Sequence, residues 1–209
     1  MSVSLLSRAP CAPLSHRDRV RRVVLLCASF GRNAAYYRAG WGGEAQPLLS
    51  ERHPDTSFWR QVNANFLDMA VLDWCKLFGD QKETPRARVG KHHWRRVVID
   101  PVGFELALLG RLRMEGYEFA SLIRKMRAYR DEFVAHLDDG RVMHIPELDA
   151  ASAAVDHYYC HMVEREAWPG ELDGLSVGPE AFLLGEHQCS AEATRIYLDA
   201  AKASETSKR

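Results

Sequence analysis

The apolar side chains of this 209-residue chain recur three and four apart, and nowhere alternate for more than a few residues. Strands present a period of two, so a chain patterned this way has little to build a sheet from, and an all-α fold is expected. The first helix is expected over Arg17–Arg38, with Val20, Val23, Val24, Cys27, Gly31 and Ala34 as its stripe and Arg19, Arg21, Arg22 and Arg32 flanking it. Gly40 to Pro54 reads as a loop. A second helix starts near Asp55–Ser57 and ends at Gly79, its wide apolar arc holding Phe66, Leu67, Met69, Ala70, Trp74, Leu77 and Phe78. Asp73 falls inside that arc, where a carboxylate needs a partner.

After a polar connector from Gly79 to Lys91, a short helix is expected over His92–Ile99, with Asp100 and Pro101 as cap and first position of the next. That helix runs to about Arg113 and is broken by Gly116; another covers Tyr117 to Leu137, and Asp138 to Gly140 turn the chain. Pro146 opens a helix to about Arg165. The remainder reads as a Gly- and Pro-containing loop, a helix over Ser190–Lys202 and a polar tail. The chain therefore divides into a helical bundle over residues 17–165 and a C-terminal extension over 166–209, with no internal repeat.

Composition narrows the function. The 28 Lys and Arg balance the 28 Asp and Glu, which excludes a general polyanion binder. Residues 1–146 nevertheless carry a net +7 and residues 147–209 a net −7, so an anion site belongs in the first two thirds. No apolar run approaches the ~20 residues of a bilayer span, and Arg8, Pro10 and Pro13 interrupt any signal-peptide core, so a cytoplasmic protein without membrane contact is expected. Five cysteines without a C-x-x-C pair indicate neither a disulfide framework nor a zinc ribbon.

The segment richest in chemistry runs from Arg124 to His136. On a helix, Phe119, Leu122, Ile123, Met126, Phe133, Val134 and Leu137 form one apolar face, Arg130 falls in its middle, and His136 lies at its edge beside Tyr129. A guanidinium there is either paired with a buried carboxylate, for which Asp73 is the natural candidate, or faces a cleft. The first alternative is structural, with His136 serving to end its helix. The second is a metal-free ribonuclease site, in which His supplies an acid or base titrating near neutrality and Arg holds the phosphate.

Arg130-Asp131 followed by Ala135-His136 resembles the Arg, polar residue, short spacer, His motif of HEPN domains (higher eukaryotes and prokaryotes nucleotide-binding). Asp73-Trp74-Cys75-Lys76-Leu77-Phe78-Gly79, with His93-Trp94 and Tyr129-Arg130-Asp131 downstream, is similar to a branch allied to abortive-infection and toxin-like bacterial proteins. The resemblance covers about residues 17–165. It implies a four- to five-helix antiparallel bundle and a symmetric dimer with two motif copies facing one cleft. It further implies an RNA endonuclease needing no cofactor, with Arg130 and His136 catalytic and Asp131, Asp73 and Tyr129 supporting. A toxin or phage-defence role with an antitoxin or regulatory partner would follow. The rival expectation is a non-catalytic bundle of the same type that binds a nucleotide or a protein.

Lesser signals are Arg124 and Arg127, a basic flank that could track an RNA backbone or be a solvated face. His157 and His161, spaced i, i+4, would suit a metal, but the spacing implies no third ligand. His92-His93-Trp94-Arg95-Arg96 suits base stacking, although Trp94 reads more readily as a core anchor. Phosphate-loop, G-x-G-x-x-G, G-x-S-x-G and H-E-x-x-H patterns are absent.

Overall fold

The computed structural model describes residues 14–41, 56–79, 90–134, 144–175 and 178–206. The expected loop after Trp41, the connector before Gly90, His136 and the Asp138–Gly140 turn lie outside the described residues. Those residues form seven α-helices and no strand. Helix α1 spans His16–Trp41 and α2 spans Thr56–Trp74; α3 is the single turn Trp94–Val97, and α4 runs over Pro101–Leu112. Helices α5, α6 and α7 cover Gly116–Tyr129, Leu148–His161 and Pro179–Thr206.

Helix α1 carries the predicted stripe, and packs against α2, α6 and α7. Small residues on its faces allow the close approach. A Cβ on Gly40 would collide with the Asn63 side chain, and one on Gly31 with Glu186. This is why α1 continues through Gly40, which was expected to begin a loop: the glycine serves helix–helix contact, and its entropic cost of ~1 kcal/mol is offset by packing. Asn63 is 2% exposed and sits at the crossing. With its amide turned to suit its neighbours, Nδ2 donates to the Tyr37 carbonyl (3.2 Å) and the Tyr197 hydroxyl (3.0 Å), while Oδ1 accepts from Trp41 Nε1 (2.9 Å).

The core beneath is aromatic. Trp74, Phe78, Tyr158, Phe104 and Trp94 are fully buried with ring centroids 5.0–5.7 Å apart in successive pairs, and Trp74 Nε1 donates to the Ala151 carbonyl (3.2 Å). Truncating one such ring to alanine typically costs ~3–5 kcal/mol. His93 joins this core: Nε2–H donates to the Phe78 carbonyl (2.9 Å), and Nδ1 accepts from Arg95 N (3.2 Å) as the cap of α3. Burial holds its imidazole down to about 4, so it is neutral, as that pattern of one donor and one acceptor requires.

Three helices end in a wider π turn: Cys75–Gly79 after α2, Arg130–Val134 after α5, and Met162–Glu166 after α6. Other boundaries also differ from expectation: Pro146 precedes α6, which starts at Leu148. The break before α5 falls at Arg113, in the left-handed conformation (φ 52°, ψ 43°), while Gly116 begins the helix behind a capping box in which Glu118 accepts from Glu115 N (2.8 Å). The last helix starts at Pro179, not Ser190, and sends Phe182 into the main core and Ala193 and Tyr197 against Ala39. Its inward line is mostly small or polar, so hydrophobicity alone does not reveal it.

Candidate functional site

Helix α5 positions the motif. Its buried residues are Phe119, Leu122, Met126 and Tyr129, a ladder whose centre lies roughly 60° from Arg130 at ~100° per residue. The expected stripe counted Val134 and Leu137 in place of Tyr129, and was centred too far round. Arg130 therefore stands on the flank of the buried face, with its side chain 20% exposed. Tyr129 goes inward, and its hydroxyl donates to Asp68 Oδ1 (2.8 Å), tying α5 to α2. Burial, then the Asp68 carboxylate, push this phenol well above its usual range, so it is a structural donor rather than a proton carrier.

The expected pair between Arg130 and Asp73 does not form. Asp73 is buried as anticipated, but Lys76, one turn along the same helix, places Nζ 2.8 Å from Oδ1. A neighbour three residues away meets the carboxylate without crossing the core. Arg130 Nε pairs with Asp131 Oδ1 at 2.8 Å. Both residues belong to the π turn Arg130–Val134, none of whose residues is fully buried. The basic flank also divides. Arg127 lies near Gly79, at the end of the first π turn, whereas Arg124 lines a groove on the other side of α5.

That groove measures about 930 Å³, and lies between α5 and the approach to α6. Arg124, Lys125 and His144 face it with Glu118, Glu132 and Glu147, over a lining that includes Leu122, Phe133 and Ile145. His144 and Lys125 were not singled out from the sequence, because neither sits in a motif; only the folding of α5 beside residues 144–150 makes them neighbours. Trp94 and His93, weighed as a stacking surface, are buried and structural. Arg95 instead lies over the Trp94 ring (4.7 Å) and pairs with Glu105 (2.9 Å).

The His157 and His161 pair lines a second, smaller pocket with Glu166, whose Oε1 lies 2.9 Å from His161 Nε2. The π turn after α6 brings Glu166 there, a change of phase that α-helical spacing does not anticipate. No group of three or more His, Cys, Asp or Glu among the described residues is arranged to hold a metal ion. No helix among them is long and apolar enough to cross a membrane.

Comparison with known proteins found no matching family model, no matching curated protein and no matching solved structure.

Proposed function

We propose that this chain is a HEPN-like homodimer that cleaves RNA without a metal, as a toxin or phage-defence component, with Arg130 and His136 as its catalytic pair. One observation carries the reading: Arg130 stands on the partly exposed flank of α5 with its Nε 2.8 Å from Asp131 Oδ1, and the buried Asp73 is met by Lys76. The π turn that begins at Arg130 is a form of winding common at functional sites.

In this scheme Arg130 binds a phosphate oxygen and stabilises the charge that builds as the ribose 2′-oxygen attacks phosphorus. His136 moves the proton, taking it from the 2′-hydroxyl or giving it to the departing 5′-oxygen, so the products are a 2′,3′-cyclic phosphate and a 5′-hydroxyl. Asp131 keeps the guanidinium in place. Asp73 and Tyr129 act at a distance, by holding α2 and α5. Arg124 and Arg127 contact the RNA backbone, and with so few phosphates neutralised the salt dependence of binding should be shallow. The second reading, a non-catalytic bundle binding a nucleotide or protein, is favoured by the 930 Å³ groove, which Arg130 does not line.

Purified protein should cut single-stranded RNA in excess EDTA, leave cyclic phosphate ends, and titrate in rate near pH ~6–7. His136→Ala should lower the rate by ~10² or more. Arg130→Ala should lower it on a similar scale, with a cooperative melt showing that the fold is retained. Cleavage indifferent to both changes, or no cleavage of any RNA, would leave the non-catalytic bundle as the better account.

A further inference from the structure

Helix α4 is apolar on both sides. Phe104 and Leu108 are buried in the core, and Glu105 and Arg111 are the charged residues of its twelve. On the side away from the core, Val102 and Leu106 are 70% and 68% exposed, Ile99 just before the helix is 71% exposed, and the half-buried Leu109 continues the line. A helix that is hydrophobic all round belongs in an interior, so this outward face lacks the cover its composition calls for. Large apolar side chains exposed side by side are of the kind that mark an interaction surface. Gly110 lies beside Leu106, one turn on, with nothing within 4 Å of where a Cβ would stand, so a second helix can approach closely there.

The charges at the two ends of the helix say what that cover is. Asp100 at the start caps Gly103 N (3.0 Å), Arg113 closes the end, and both are exposed. Neither has an ion-pair partner among the described residues. The apolar line is centred on Leu106, so a second α4 laid antiparallel across it would set Leu106 opposite itself and Val102 opposite Leu109. The same placement brings the Arg113 end of each copy to the Asp100 end of the other, whereas a parallel copy would set like charge on like. Glu105, which would stand near its own copy at the axis, is already paired with Arg95 (2.9 Å). The face is thus complementary to itself, as an isologous contact requires.

We infer that the outer face of α4 joins two copies of this chain as an antiparallel helix pair. One helix face offers less than the ~800 Å² per partner of a stable interface, so the contact is weak, with a Kd of ~0.1–1 mM. Where another face already makes a dimer, α4 joins dimers. This contact does not depend on the reading of Arg130 and His136.

The test is sedimentation velocity of the whole protein from ~10 µM to ~1 mM. The weight-average mass should rise towards about twice its starting value over that range. Leu106→Glu should hold it at the starting value, and Asp100→Asn, which keeps the cap, should move the rise to concentrations ~3-fold higher or more. On mild oxidation Leu106→Cys should form a disulfide between copies, because the two positions 106 meet on the two-fold axis. Arg113→Cys should not, since its two copies stand ~20 Å apart along the pair. The inference is overturned by a constant mass up to ~1 mM, by a rise that persists in Leu106→Glu, or by a disulfide that forms as readily through Arg113→Cys. A constant mass with a lower melting midpoint in Leu106→Glu would show the face covered by the chain's own residues, and sinks the idea equally. The species present at ~10 µM reports on the Arg130 face and leaves this test intact.

Discussion

Asp73 is 3% exposed in its side chain while its partner Lys76 is 43% exposed, so the pair stands half in water. Such a pair contributes little, and removing its charge strands no buried cation. Asp73→Asn should therefore change stability by less than ~1 kcal/mol in a urea melt, and a loss of ~3 kcal/mol would mean that a buried cation depends on the carboxylate after all. The burial of Asp73 was legible from its place among apolar neighbours; its partner was not, because phase says which face a residue occupies and nothing about which of two cations arrives first. Tyr129 shows the complementary difficulty. The resemblance implies a supporting role for it, and the support it gives is to hold α5 on α2 through Asp68, a meeting that exists only in three dimensions.

Among the elements, the contact of α7 with α1 carries a titratable group. Glu186 packs against Gly31, and burial, then the nearby Asp156, raise its carboxyl to about 7, with Arg38 opposing. A carboxyl raised in the fold binds more protons there than in the unfolded chain, so its stabilising share is complete below the ordinary glutamate pKa and is lost as pH rises through about 7. His93 and His157, held down to about 4, act the other way: their share is present above the ordinary histidine pKa and is lost as pH falls towards 4. From pH ~4.5 to ~6.5 the two histidines outweigh the one carboxyl, and above pH ~7 the effects nearly cancel. Stability should rise with pH over the lower range, Glu186→Gln should steepen that rise, and identical slopes for the two would remove Glu186 as a source of pH dependence. The long amphipathic helices were legible because apolar spacing records one packed face. The start of α7 was not, since between Phe182 and Tyr197 the helix packs through Glu186, Cys189 and Ala193, which leave no apolar stripe to read.

For the molecule as a whole, the decisive question is how two copies would meet. We expect a dimer through the face that carries Arg130, since one motif makes half of a phosphate-sized cleft. A second apolar surface competes with it: Val102 and Leu106 on α4, and Ile99 just before it, are each about 70% exposed. Light scattering at tens of micromolar should report a dimer that survives Leu106→Glu. A monomer would count against the scheme, and a dimer split by Leu106→Glu would put the interface on α4. The all-α class was legible from periodicity, whereas the pairing of surfaces between copies leaves no periodic trace within one chain.

The three π turns bear on how this protein can be recognised at all. A turn closed five residues back in place of four holds one residue more than an α-helix needs at that point. A relation with the same bundle but ordinary helix ends would be one residue shorter at each of three places, and its sequence would slip out of step after each. One of those places is Arg130–Val134, so the interval from Arg130 to His136 would shrink with it. Kinship for such a chain is better sought by superposing helix axes than by counting residues between landmarks, because the landmarks are set on a scale that changes length along the way.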